Sequence, residues 1–295
     1  MTFEMRCKTG ILFFIYASNE PKSVLARDLG DRRNNLRNSW SVFLIVVLTA
    51  TVIITCAGCL GGQQKYNGHS VLGGFSLVSQ KAFSKVLFHP DLQQKPMIAL
   101  TFDDGPRASV TNRILDSLSQ YGGRATFFMV GTNVPHNGDV IRRMVAQGCE
   151  VANHTNDHKY ISKLSNEGIV SQVSAVNQKV ASVCGVSPVV MRPPGGYIDA
   201  HSLSVLGSMG MPAIMWSIDT RDWQHRNAQK TINTVLTQVK DGDIILMHDI
   251  YDATADAAVA LIPELTARGY QLVTVSELAA ARGGMAAGHK YSQFR

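Results

Sequence analysis

Two carboxylates stand side by side in Thr101-Phe102-Asp103-Asp104-Gly105-Pro106, where the apolar run 97–100 gives way to a Gly-Pro break. Like charges this close resist joint ionisation, so a cation or a proton must separate their roles. A second cluster, His154-Thr155-Asn156-Asp157-His158, sets two imidazoles four residues apart. On a helical turn that spacing puts both on one side, within reach of a single ion. A carboxylate from a strand end completes a set of two nitrogens and one oxygen. Three protein ligands with an open position is the pattern of a hydrolytic metal site. Zinc suits the set, and so do cobalt, nickel and manganese, because affinity order alone does not choose.

His248-Asp249 closes the apolar run 244–247. An imidazole there serves either as a core histidine bonded to backbone or as a general acid with a pKa near neutrality. Asp222 is a candidate to hold it protonated and oriented. Arg192 is a candidate to pair with a carboxylate and keep it ionised as a base. Pro193-Pro194 fixes the next loop, and Gly195-Gly196 lets backbone N–H groups approach a bound oxygen. Trp223 offers a flat wall for a sugar ring, or ordinary core packing. No Gly-x-Ser-x-Gly elbow points to a covalent intermediate.

Apolar strand-like runs alternate with helical ones from residue 95 onward. The pattern gives strand 97–102 and helix 110–121, strand 125–130 and helix 137–147, then strand 149–153 and helix 165–184. It continues with strand 188–191 and helix 201–209, strand 212–218 and helix 228–240, strand 243–247 and helix 255–268, and strand 270–274 with a last helix 276–282. Seven such repeats predict an α/β domain with about seven parallel strands, as a barrel or an open doubly wound sheet. Every polar cluster falls at the carboxyl end of a predicted strand, and in parallel α/β folds those ends converge on one face. The Gly-rich tail 284–295 is expected to fray.

The chain has 295 residues and a formal net charge of +6. Residues 1–39 carry seven Lys/Arg against four Asp/Glu, a basic leader, and no Lys/Arg run with interleaved aromatics suggests nucleic-acid binding. Residues 38–64 carry no charge, and 40–60 is Val/Ile/Leu-rich behind Arg32, Arg33 and Arg37. That reads as a transmembrane anchor or an export signal with the N-terminus inside. Residues 61–94 read as a linker and N-terminal extension. The expected location is the cell membrane, single-pass, with the catalytic domain outside the cytoplasm. Cys56-Ala57-Gly58-Cys59 resembles a lipoprotein cleavage box, so a lipid anchor at Cys59 is an alternative, as is secretion. Of the five cysteines, Cys149 and Cys184 fall in the globular part and are expected as buried free thiols.

Five clusters in this order, Thr101–Pro106, His154–His158, Arg192–Gly196, Asp219–Trp223 and Leu246–His248, resemble the polysaccharide deacetylases, carbohydrate esterase family four, with the NodB-homology domain. The resemblance covers the catalytic region 95–283. It implies a distorted (β/α) barrel and a metal-dependent deacetylase, a hydrolase of linear amides. By matching position, Asp103 is implied as catalytic base, Asp104, His154 and His158 as metal ligands, and His248 as catalytic acid. Arg192 is implied as the partner of Asp103, Asp222 as the tuner of His248, and Gly195, Trp223 and Leu246 as substrate-binding. Many relatives carry an aromatic where Gly195 stands, so a side-chain contact is missing there. The implied substrate is an acetylated glycan, peptidoglycan N-acetylglucosamine first, with chitin oligomers, poly-N-acetylglucosamine or acetylxylan as alternatives. A glycan-binding module without catalysis and a cyclic amidase are the readings from other classes. No obligate protein partner is expected.

Overall fold

The computed structural model describes residues 95–295. The leader 1–39, the expected membrane or export segment 40–60 with Cys59, and the linker 61–94 lie outside the described residues. Among the described residues, no helix is long and apolar enough to cross a membrane.

Strand β1 (Met97–Asp103) is the axis of the fold. Residues Ile98 to Phe102 are completely buried, as an apolar run covered on both faces should be. The Gly-Pro break ends it, and helix α1 (Ala108–Tyr121) follows. Val110, Ile114, Leu115 and Leu118 form its buried stripe at helical spacing, and Gly122 stops it in the left-handed conformation (φ 67°). Next come β2 (Thr126–Met129), α2 (Gly138–Ala146), β3 (Glu150–Asn153) and the long α3 (Asn166–Cys184). Ser165 caps α3 by accepting from the Gly168 N–H at 3.2 Å. The chain continues through α4 (Ala200–Ser208), β4 (Ala213–Ile214), β5 (Ile218–Asp219), the single turn α5 (Asp222–His225) and α6 (Ala228–Gln238). It closes with β6 (Ile244–His248), α7 (Asp252–Ala267), β7 (Gln271–Leu272), α8 (Val275–Ala281) and β8 (Lys290–Tyr291).

The strands pair in the order β3-β2-β1-β6-β5, all parallel. β7 takes the first two residues of β1 and β2 takes its last three, so the sheet splits at its amino end. Beyond β3 the curve continues as single parallel bridges, Asn153 to Met191 and Met191 to Ala213, and then as the β4–β8 pair. This is the expected parallel α/β architecture. Among the described residues, no strand pairing joins β4 to β5, which leaves the barrel distorted there.

Three expectations change. The strand expected at 188–191 shrinks to the bridge at Met191, bounded by Pro188 and by Pro193-Pro194, which have no N–H to donate. The strand expected at 212–218 divides into β4 and β5, because the carbonyls of Ile214 and Met215 accept from the Arg192 guanidinium instead of a neighbouring strand. The tail does not fray. β8 pairs with β4, Phe294 is buried and stacks on Tyr291, and its N–H donates to the Gly242 carbonyl. Two aromatics among polar residues outweigh the glycines. Both described cysteines are free, Cys149 buried and Cys184 half-buried.

Candidate active site

The ladder of β1 with β6 pairs Asp103 directly with His248 at the carboxyl end of the sheet. Asp103 is buried, and Arg192, which has no exposed surface, donates to its Oδ1 at 2.7 Å. The same guanidinium donates to the Thr101 hydroxyl at 2.8 Å and to the carbonyls of Ile214 and Met215 at 3.1 and 3.0 Å. It also lies 4.2 Å from the centre of the Phe128 ring. Burial pulls the Arg192 pKa down, and the Asp103 carboxylate works against that fall. A buried guanidinium with this many acceptors is held in one orientation, and it fixes one oxygen of Asp103, while the other lies 3.6 Å from Nε2 of His154.

Asp104 takes the left-handed conformation (φ 69°), and its carboxylate approaches the same nitrogen, Nε2 of His154, as that of Asp103. Its Oδ1 lies 3.4 Å from Nε2 of His154 and 3.2 Å from Nε2 of His158. The two histidines do not share a helical turn as their spacing suggested. They sit in a loop after β3 in which Thr155 (φ 62°) and His158 (φ 60°) are left-handed. Side chains from β3 and α3 impose that path. Asn153 accepts from the Thr155 N–H, Gln172 from the N–H groups of Asn156 and Asp157, and Lys179 donates to the Asn156 side chain.

This donor set fits a divalent cation. The Arg192 carbonyl lies 2.8 Å from Nδ1 of His154, and a carbonyl only accepts, so Nδ1 donates to it and Nε2 is the nitrogen turned to Asp104. Oδ1 of Asp104 is buried without a hydrogen bond. Burial alone would push its carboxyl up, but His154 and His158 hold it well below the usual range, and Asp104 in turn pushes His158 up. The three ligand atoms lie within 4.8 Å of one another. Two imidazole nitrogens and one carboxylate oxygen are the ligand types that zinc and its neighbours accept.

His248 lies on the other side of Asp103. Its Nδ1 is 2.8 Å from Oδ1 of Asp222, whose Oδ2 accepts from the His248 N–H at 2.8 Å and from the Thr254 hydroxyl at 2.6 Å. Burial opposes the charge on this imidazole, but Asp222 overcomes it and raises the pKa to about 9. The partners act reciprocally, since burial pushes Asp222 up while His248 and Thr254 hold it down. The neighbouring Asp249 is fully buried. The Thr111 hydroxyl donates to it at 2.5 Å, and burial raises its pKa to about 7.

These residues line one cleft of about 380 Å³. Asp103, Asp104, His154, His158 and His248 form one part of its wall, and Gly195, Trp223 and Leu246 also line it. Leu246 is buried, whereas Trp223 is about half exposed, so Trp223 is not a core residue. Arg192 and Asp222 stand behind Asp103 and His248. The sequence reading missed Tyr160, Trp216 and Tyr251, which also line the cleft, and the hydroxyls of Thr101 and Thr254 that complete the two supports. Tyr160, two residues beyond His158, and Tyr251, three beyond His248, carried a positional signal.

The chain is similar to known carbohydrate deacetylases. Residues 91–214 match the family model described as polysaccharide deacetylase. The chain is 43% identical over 188 residues to the peptidoglycan-N-acetylmuramic acid deacetylase PdaC of Bacillus subtilis, covering 64% of this chain but only 39% of that protein's length. It is 37% identical over 187 residues to a peptidoglycan-N-acetylglucosamine deacetylase of Bacillus cereus, covering 62% of this chain and 87% of that one. A solved structure of the Bacillus subtilis PdaC superposes with a TM-score of 0.62 at 41% identity, over 64% of this chain and 92% of that one.

Proposed function

The chain belongs to the polysaccharide deacetylase family, and we propose that it removes acetyl groups from N-acetylglucosamine residues of a cell-wall polysaccharide, peptidoglycan, releasing acetate. The observation that carries this reading is the register pair of Asp103 and His248, each pinned by its own buried partner, beside the ligand set Asp104–His154–His158. A base and an acid on adjacent strands suit addition of water to an amide followed by departure of its nitrogen.

Asp104, His154 and His158 would hold a divalent cation, zinc first among the candidates. Bound there, the cation supplies Lewis-acid polarisation of the acetyl carbonyl and makes water more acidic. Asp103, held at one oxygen by Arg192, takes a proton from the water as the water oxygen bonds to the carbonyl carbon. The Gly195 N–H, in the cleft wall, serves the oxygen that gains charge. His248 has Nδ1 committed to Asp222, so its Nε2 gives a proton to the amide nitrogen as the carbon–nitrogen bond breaks. Acetate and a free amine result. Leu246 and Trp223 bound the space for acetyl group and sugar.

The location outside the cytoplasm belongs to the same proposal and is supported by the uncharged stretch 38–64 behind its basic leader. The experiment is acetate release from peptidoglycan, N-acetylglucosamine oligomers and acetylxylan, with and without chelator. Release from peptidoglycan that stops on chelation and returns with zinc or cobalt is expected. Full activity in the chelated protein would overturn the metal-dependent reading, and release from acetylxylan alone would overturn the substrate.

A further inference from the structure

Gly195 stands where an aromatic side chain would line the cleft, yet the space beside it is filled. A Cβ built on Gly195 would come within 2.9 and 3.0 Å of Cδ2 and Cε2 of Tyr197, and within 3.4 Å of Cε1 of Tyr160. A side chain at 195 would therefore displace the Tyr197 ring from this position. Gly195 is also left-handed (φ 62°), which favours glycine there. Tyr197 turns back onto Tyr160, their ring centres 4.7 Å apart at an angle of 40°. Tyr160 lies edge-on to His158, with centres 6.4 Å apart, and lines the cleft. Both tyrosines keep much surface in water, Tyr160 38% and Tyr197 55%. Two large rings held against each other, next to a metal-ligand set, are an ordered apolar surface that no element among the described residues covers.

We propose that Tyr197 and Tyr160 form a stacking platform for the sugar ring two units along the chain from the one being deacetylated, with Tyr197 the specificity-determining residue for extended glycan chains. This rests on the deacetylase reading for the direction of the chain through the cleft. A pyranose has an apolar C–H face of the size these rings present, and its hydroxyls stay in water at the half-exposed rim. The platform costs little entropy to organise, because each ring already restrains the other. A monosaccharide or dimer seated at the metal site does not extend to it, whereas a longer oligomer does.

The test compares N-acetylglucosamine dimer and hexamer on the zinc-loaded protein and on Tyr197→Ala, Tyr197→Phe and Tyr160→Ala. Tyr197→Ala is expected to lower kcat/KM for the hexamer about five- to tenfold through KM, and to leave the dimer within about twofold. Tyr197→Phe keeps the ring and is expected to behave as wild type. Unchanged hexamer kinetics in Tyr197→Ala, or an equal loss on dimer and hexamer, would overturn the platform while leaving the deacetylase reading intact. If the wild type releases no acetate from either oligomer or from peptidoglycan, the deacetylase reading fails. Calorimetric titration of the same zinc-loaded protein with hexamer then decides the platform alone. A five- to tenfold weaker affinity in Tyr197→Ala supports it, and equal affinity or no binding overturns it.

Discussion

Replacing Asp222 with asparagine should uncouple His248 from its charge while leaving the ring nearly in place. Asp222 contacts His248 at both the ring and the backbone N–H, and, with smaller help from Asp103 and Asp104, it raises the imidazole pKa from 6.5 to about 9 against the opposing effect of burial. That rise corresponds to about 3 kcal/mol of preference for the protonated ring, at about 1.36 kcal/mol per tenfold. His248 is only 12% exposed, so solvent screening reduces this figure little. A bound divalent cation cancels the contributions of Asp103 and Asp104, which places the alkaline limb of kcat below pH 9 in the metal-loaded enzyme. In Asp222→Asn the limb should move down by about two pH units, so that at pH 7.5 only about a tenth of the protein retains the acid. Stability follows the same group. A raised folded pKa stabilises the fold fully below pH 6.5, and that contribution disappears as pH rises toward 9. The assay is acetate release against pH for both proteins, with thermal melts over the same range. An alkaline limb at the same pH in both would refute the assignment of His248 as the acid tuned by Asp222.

Arg192→Met leaves the Asp103 carboxylate buried without its cation and should cost about 3–5 kcal/mol in urea unfolding. A midpoint unchanged within error would contradict the support described. Arg192→Lys keeps the charge but not the contacts to Ile214 and Met215, so it should fold better than the methionine variant and still lose most activity. Gly105→Ala puts a Cβ 2.1 Å from Oδ1 of Asp249, a clash that should lower stability by about 1–3 kcal/mol, read as a fall in Tm. Removing residues 290–295 strips β8 and Phe294 and leaves the buried Asp243 without Arg295, so Tm should fall by several degrees. An unshifted melt would mean the tail is dispensable.

The strand–helix alternation was legible where a strand is a continuous apolar run bounded by turn residues, as in 97–103 and 244–248. The grouping of the polar clusters followed from strand polarity alone, since parallel strands bring their carboxyl ends to one face. The path of the histidine loop was not legible. Its left-handed Thr155 and His158 depend on Asn153, Gln172 and Lys179, two of them on a helix later in the chain. The splitting of 212–218 escaped for a similar reason, because the acceptors of two residues are taken by a guanidinium more than twenty positions away. Tyr197 escaped because its role depends on an absent side chain at Gly195 and on a ring 37 positions earlier in the chain.

The ladder between β1 and β6 has a consequence for how such a cleft can diversify. Asp103 and His248 face each other across consecutive hydrogen-bonded rungs of buried strands, so their separation is set by the sheet and not by any loop. Sliding one strand by a residue would turn one of the two to the opposite side. The pair therefore behaves as a rigid caliper. Tyr160, Tyr197 and Trp223 lie on connections outside the ladder and can be exchanged without moving its jaws. Directed evolution toward a new acetylated polymer should gather its gains in those connections and leave residues 97–103 and 244–248 untouched.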